Sequence, residues 1–98
     1  MSDEEIYAEN VRLIILRELN GQTDHQVNET IMSKVLEEFG HRKTRDYIRT
    51  QFRKLEELGA IRIRVVNSVL VAQLLRPGLE HLQRRAFLEG VGRPSLEG

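Results

Sequence analysis

The chain has 98 residues, 40% of them hydrophobic and 31% charged, with no cysteine and a formal net charge of zero. That describes one small globular domain, and it excludes disulfides, thiolate metal sites and a cysteine nucleophile. The longest apolar runs, LIIL and VLVA, are far too short to span a membrane. The acidic start, MSDEEIYAEN, is neither a signal nor a transit peptide, so a cytoplasmic protein is expected.

Ser2 or Asp3 is placed to cap a first helix whose opening turn holds Asp3, Glu4 and Glu5, the sign that suits a helix N-terminus. Ile6, Val11, Ile14, Ile15 and Leu19 follow near helical spacing and predict a buried stripe that stops at Asn20-Gly21. QTDHQ reads as a polar loop. Asn28 caps a second helix, residues 29–39, with Ile31, Val35, Leu36 and Phe39 expected to face inward and Gly40 to supply the C-terminal cap. Residues 40–43 form a turn, and Thr44 caps a third helix, residues 45–58, closed by Gly59. Its core face is Ile48, Phe52, Leu55 and Leu58. Asp46, Arg49, Thr50, Arg53 and Glu57 fall on the opposite side.

The period then changes to two. In AIRIRVV, Ile61, Ile63 and Val65 alternate with Arg62 and Arg64, and VLVAQLL returns after an Asn67-Ser68 turn, so a hairpin is predicted. Pro77-Gly78 opens a short fourth helix to about Phe87, with Leu79, Leu82 and Phe87 docking on the body. EGVGRPSLEG has no periodicity and is expected to be an extended or loose end. The fold class is therefore mainly α with a β-hairpin, a winged helix-turn-helix of order α-α-α-β-β-α. Residues 1–88 form the domain and 89–98 an extended C-terminal tail.

Charge is sorted along this neutral chain. Residues 41–64 hold eight cations against three carboxylates, a net +5, whereas the first forty residues have three cations against nine carboxylates, a net −6. A cationic helix is what a phosphate backbone attracts, and a basic-polar outer face is what groove reading requires.

Several short motifs carry a resemblance. RLIILREL, NET, FGH followed by TRDYIR, LEELGAI, VAQL and GVGRPS run in order from about Arg12 to Ser95. In order and spacing they resemble a family of small proteins of Mu-like phages and prophages, often labelled winged-helix or ArsR-like regulators. The resemblance implies a winged-helix fold and a phage or prophage setting, and no known mechanism. This chain departs from the family where His25 or Gln26 replaces an aromatic residue and where Leu75-Arg76-Pro77-Gly78 replaces a Leu-Thr-x-x-Gly pattern. With no cysteine and three dispersed histidines, metal sensing of the ArsR kind is not expected, and no cofactor is implied.

The expected ligand is duplex DNA. Arg42, Lys43 and Arg45, near the start of the third helix, would clamp phosphates, with Thr44 as its cap. Arg49 and Arg53, one turn apart, would reach guanine edges, and Thr50 a phosphate or a thymine methyl. Asp46 would accept from cytosine or orient Arg49 or Arg42, and Arg62 and Arg64 would touch backbone from the wing. The alternative pairs Arg49 and Arg53 with Glu56 and Glu57 on a solvated helix face. His25, His41 and His81 are far apart in the predicted layout, and no catalytic spacing stands out, so an enzyme is not expected. The apolar surplus of the first helix (Leu13, Ile14, Ile15, Leu16), with Leu79, Leu82 and Phe87, suggests a homodimer through the first and fourth helices. A rival function is a winged-helix module of a phage that binds protein and no DNA; the short, uncharged wing tip suits it.

Overall fold

The computed structural model describes residues 2–95, so the last three tail residues, 96–98, lie outside the described part. Seven elements follow in order: α1 (Asp3–Gly21), β1 (Gln26–Asn28), α2 (Glu29–Glu38), α3 (Arg45–Glu57), β2 (Ile61–Val66), β3 (Val69–Leu74) and α4 (Arg76–Leu82). This is a winged helix-turn-helix, with α2 and α3 as the helix-turn-helix and the β2–β3 hairpin as the wing.

Local chemistry sets the helix ends. Each of the first three helices begins on a side-chain oxygen that accepts from the backbone N–H three residues on. Ser2 Oγ takes Glu5 N–H at 3.1 Å, Asn28 Oδ1 takes Ile31 N–H at 2.8 Å, and Thr44 Oγ1 takes Tyr47 N–H at 3.1 Å. α2 and α3 end alike. Gly40 and Gly59 take positive φ, and the residue after each donates back to a carbonyl five positions earlier, His41 to Leu36 at 2.8 Å and Ala60 to Leu55 at 2.9 Å. The hairpin turns on Asn67 and Ser68, both at positive φ, the geometry that matches strand twist.

The sheet has three strands in the order β1-β3-β2, all antiparallel. One strand was not expected: Gln26, the last residue of the QTDHQ loop, pairs with Gln73, and Val27 and Asn28 pair with Ala72 and Val71. Three residues are too few to show an alternating pattern, and only the neighbouring β3 defines them as a strand.

The core gathers Ile15, Leu16 and Leu19 of α1, Met32 and Leu36 of α2, Ile48, Phe52 and Leu55 of α3, and Ile61 of β2. Three expectations change here. First, α1 is buried nearly all round from Val11 to Leu16, whereas Ile6 is 52% exposed. Leu13, Ile14, Ile15 and Leu16 are consumed by the monomer's own core, because α1 is enclosed by α2, α3, α4 and the sheet, and they leave no surplus on α1 for a second copy. Second, α2 is rotated from the expected setting. Glu29, Met32 and Leu36 face inward, while Ile31 (51%) and Phe39 (62%) are exposed. Third, α4 stops at Leu82 instead of continuing to Phe87. Arg84 takes a positive φ and Arg85 N–H bonds back to Glu80 O at 2.9 Å, which closes the helix. Phe87 is left exposed beside the Arg84 and Arg93 guanidiniums.

Pro77-Gly78 sits where α4 presses on the start of the hairpin. A Cβ on Gly78 would fall 2.5 Å from Ala60 O, so the close approach demands glycine.

Beyond α4 the chain runs without regular structure along α1 and is pinned there. Val91 and Pro94 are buried, Gly92 N–H bonds to Glu9 O at 2.9 Å, and the buried Arg12 donates to Gly90 O at 2.6 Å and to Gln51 Oε1 at 2.8 Å. His81 is fully buried and organises this strap. Leu88 N–H donates to its Nδ1 at 2.9 Å, so the ring hydrogen is on Nε2, which donates to Gly92 O at 2.8 Å. His81→Leu would orphan a donor and an acceptor together. A loss of about 1–3 kcal/mol is expected in urea unfolding, and an unchanged midpoint would show that the strap contributes nothing to stability.

Candidate nucleic-acid interface

α3 rests on the core through Ile48, Gln51, Phe52 and Leu55 and turns Asp46, Thr50, Arg53 and Glu57 outward. The hairpin lies beside it, with β2 as the edge strand carrying Arg62 and Arg64.

The ten residues expected to meet DNA fall into three groups. Some are occupied in holding the fold. Thr44 is the cap of α3, and Thr50 Oγ1 donates to Asp46 O at 2.9 Å. Arg49 is the most constrained: its Nε and Nη2 grip both oxygens of Glu29 at 2.7 and 2.8 Å, and Nη2 also donates to Ser68 O at 2.8 Å. A second group is partly engaged. Arg42 pairs with Glu37 at 3.2 Å, Arg45 stands 3.6 Å from Glu29, and Arg64 donates to Gln26 Oε1 at 2.7 Å. Lys43 Nζ sits 4.6 and 5.0 Å from the ring centres of Tyr7 and Tyr47, beside His41 Nδ1, which is 2.6 Å from the Tyr7 hydroxyl. The third group is exposed with no ion pair or side-chain hydrogen bond among the described residues: Arg53 and Arg62, joined by Lys54, together with the carboxylate of Asp46.

The alternative pairing of Arg49 and Arg53 with Glu56 and Glu57 is not found among the described residues. Glu56 instead accepts the Ile63 N–H at 2.9 Å, covering the outer edge of β2. Helical spacing offers Glu56 and Glu57 to Arg53 only, since Arg49 stands two turns away from them, and tertiary partners hold both Arg49 and Glu56.

Sequence reading overlooked Glu29. It is 1% exposed, opens α2, and also accepts Leu70 N–H at 2.6 Å. One carboxylate therefore ties the start of α2 to α3 through Arg49 and to the wing through Leu70, with Arg49 closing the triangle onto Ser68. The hydrogen-bonded Arg49 guanidinium, with help from Leu70 N–H, holds the Glu29 carboxyl below its ordinary value of 4.5 against the opposite pull of burial. The only sequence signal was an acid directly after the Asn28 cap, which is equally typical of an exposed first turn.

Near the start of α3 a cleft of about 500 Å³ is lined by Asp3, Glu4, Tyr7, Ala8, Lys43 and Tyr47. Burial pushes the Tyr47 phenol above its ordinary value of 10.0. Among the described residues no group of three or more His, Asp or Glu side chains converges on a metal-sized site, and no helix is long and apolar enough to cross a membrane.

The fold and this surface make the chain a winged helix-turn-helix protein with a basic outward helix. It belongs to the family of the phage Mu protein gp26. It is 32% identical over 90 residues to "Uncharacterized protein gp26" of Escherichia phage Mu, covering 92% of this chain and 93% of the relative. It is also 35% identical over 75 residues to an "Uncharacterized protein" of Haemophilus influenzae (strain ATCC 51907 / DSM 11121 / KW20 / Rd), covering 76% of this chain and 72% of that one. Neither name carries a winged-helix or ArsR label. No family model and no solved structure matches the chain.

Proposed function

We propose that this protein binds duplex DNA in the cytoplasm of a phage-infected or prophage-carrying cell, acting as a regulator and not as an enzyme. The carrying observation is the exposed Arg53 on the outward side of α3, which has no ion pair or side-chain hydrogen bond among the described residues; Lys54 follows it in the helix, and the exposed Arg62 and Arg64 lie on β2, the next element. Glu29 is neutralised by Arg49 and so takes no charge from this field, whereas Glu56, bonded to the neutral Ile63 N–H, keeps its charge beside it. The ridge presents one arginine where the sequence suggested two. In this reading Arg53 contacts base edges, Arg42, Lys43, Arg45, Arg62 and Arg64 contact phosphates, and Arg49 positions the wing.

Binding carried by these cations weakens steeply with salt, because each neutralised phosphate releases counterions. Fluorescence anisotropy with a mixed-sequence duplex at two salt concentrations tests this directly. Salt-dependent binding that Arg53→Ala/Arg62→Ala abolishes is expected. A folded wild type that ignores duplex DNA at low salt defeats the reading.

A second reading, a protein-binding module, is favoured by one observation. The wing tip is apolar and bare, with Val65 65% exposed and Val66 beside it, and its Asn67-Ser68 turn carries no charge. A tip of that kind suits a protein surface better than a minor groove.

A further inference from the structure

The apolar row that α2 turns away from the core has an internal logic of its own. Ile31 and Phe39 are exposed and Val35 is half-buried between them, at i, i+4, i+8 spacing along one side of the helix. Glu29, Met32 and Leu36 occupy the inward side, so the row is turned from α3. Lys34 and Glu38 stand on one flank of the row. They are one helical turn apart, in the order, Lys before Glu, that favours an intrahelical pair least, and neither makes an ion pair or side-chain hydrogen bond among the described residues. The neighbouring Glu37 is already taken by Arg42 at 3.2 Å.

We propose that this row is the contact between two copies of the chain, α2 packing antiparallel on α2 of the partner subunit about a two-fold axis. Antiparallel two-fold pairing sets each flank of a helix against the same flank of its mate. A flank with a lysine one turn before a glutamate is then its own complement. Lys34 meets Glu38 of the partner subunit, Glu38 meets Lys34 of the partner subunit, and the three apolar side chains interleave between them. A partner of uniform charge would match one of these residues and repel the other, which is why a second copy is the occupant that fits. α2 has ten residues, so the contact is about 15 Å long and falls below the roughly 1,200 Å² typical of stable interfaces. Association is therefore weak, with a dissociation constant on the order of tens of micromolar. The contact leaves α3 and the wing uncovered, so it does not depend on the DNA reading.

Sedimentation equilibrium of the full chain, at concentrations spanning the expected constant, tests the proposal. A reversible monomer–dimer equilibrium is expected. Ile31→Ser/Phe39→Ser should be monomeric throughout with an unchanged circular dichroism spectrum, because it removes side chains the monomer leaves largely exposed. Lys34→Glu and Glu38→Lys should each weaken association about ten-fold, and the two together should restore it. A wild type that stays monomeric overturns the proposal and assigns the row to a different protein. A dimer insensitive to the single reversals, or one that the double swap does not restore, overturns it as well.

Discussion

Glu29→Gln is expected to lower stability at neutral pH by about 2 kcal/mol, the scale of a buried hydrogen bond to a charged group. The amide keeps the shape and an acceptor for Leu70 N–H, but it cannot serve both donors of Arg49 as a carboxylate does. The pH dependence follows from the same contact. The folded carboxyl titrates below its ordinary value of 4.5, so its contribution is complete above that pH and is lost as pH falls through the folded value. Thermal melts of wild type from pH 7 downward should show the melting temperature dropping more steeply on the acid side of 4.5 than those of Glu29→Gln. Parallel curves would mean that Arg49 and Glu29 are not coupled in solution. Because the triangle joins α2, α3 and the turn of the wing, hydrogen exchange in the variant should rise first at Ser68–Leu70.

Arg53→Ala and Arg49→Ala should separate cleanly, although the two residues stand one turn apart on one helix. Arg53 makes no ion pair or side-chain hydrogen bond among the described residues, so its removal should leave the melting temperature nearly unchanged. If it reads a base, removal should cost duplex affinity by about 1–3 kcal/mol and flatten base preference. Arg49→Ala should lower the melting temperature, because it strips the fully buried Glu29 of its counter-charge and leaves that carboxylate with Leu70 N–H and the more distant Arg45. Its effect on DNA should come through a displaced wing and fall alike on all sequences. Paired melts and anisotropy titrations of the two variants decide it. A silent Arg53→Ala in the binding assay would remove α3 from the reading role.

The outline of this fold was legible wherever a rule acts over three or four residues. Ser2, Asn28 and Thr44 each bond to an N–H three positions away, Gly40 and Gly59 close their helices within one turn, and Asn67-Ser68 turns a hairpin by its own dihedrals. Those features need no knowledge of the rest of the chain. The candidate site was less legible, although every residue proposed for it lies on α3, the turn before it, or β2. Composition placed the cations there and could not say which were engaged. Arg49 and Arg53 are equivalent by type and spacing, and only the position of Glu29, twenty residues away on another helix, tells them apart.

The same distinction accounts for the other differences. The α2 stripe was misjudged by a rotation about the helix axis, because Ile31 and Phe39 are as apolar as Met32 and Leu36 and only the placement of α1 and α3 decides which row is enclosed. α4 ends at an arginine in the left-handed region, a position that sequence assigns to glycine or asparagine and that here is held by Arg84 bonding to Pro94 O.

Taken alone, the sequence determined the order of the helices and of the hairpin, the three capped helix starts, and the concentration of positive charge in and around α3, since each depends on neighbouring residues or on composition. Tertiary structure alone decided that β1 is a strand, that Glu29 and Arg49 form a buried clamp on the wing, that His81 anchors the terminal strap, and that the spare apolar row lies on α2 rather than α1. Each of those depends on which distant groups packing brings within about 3 Å, where a hydrogen bond forms, and periodicity along the chain holds no information about that distance.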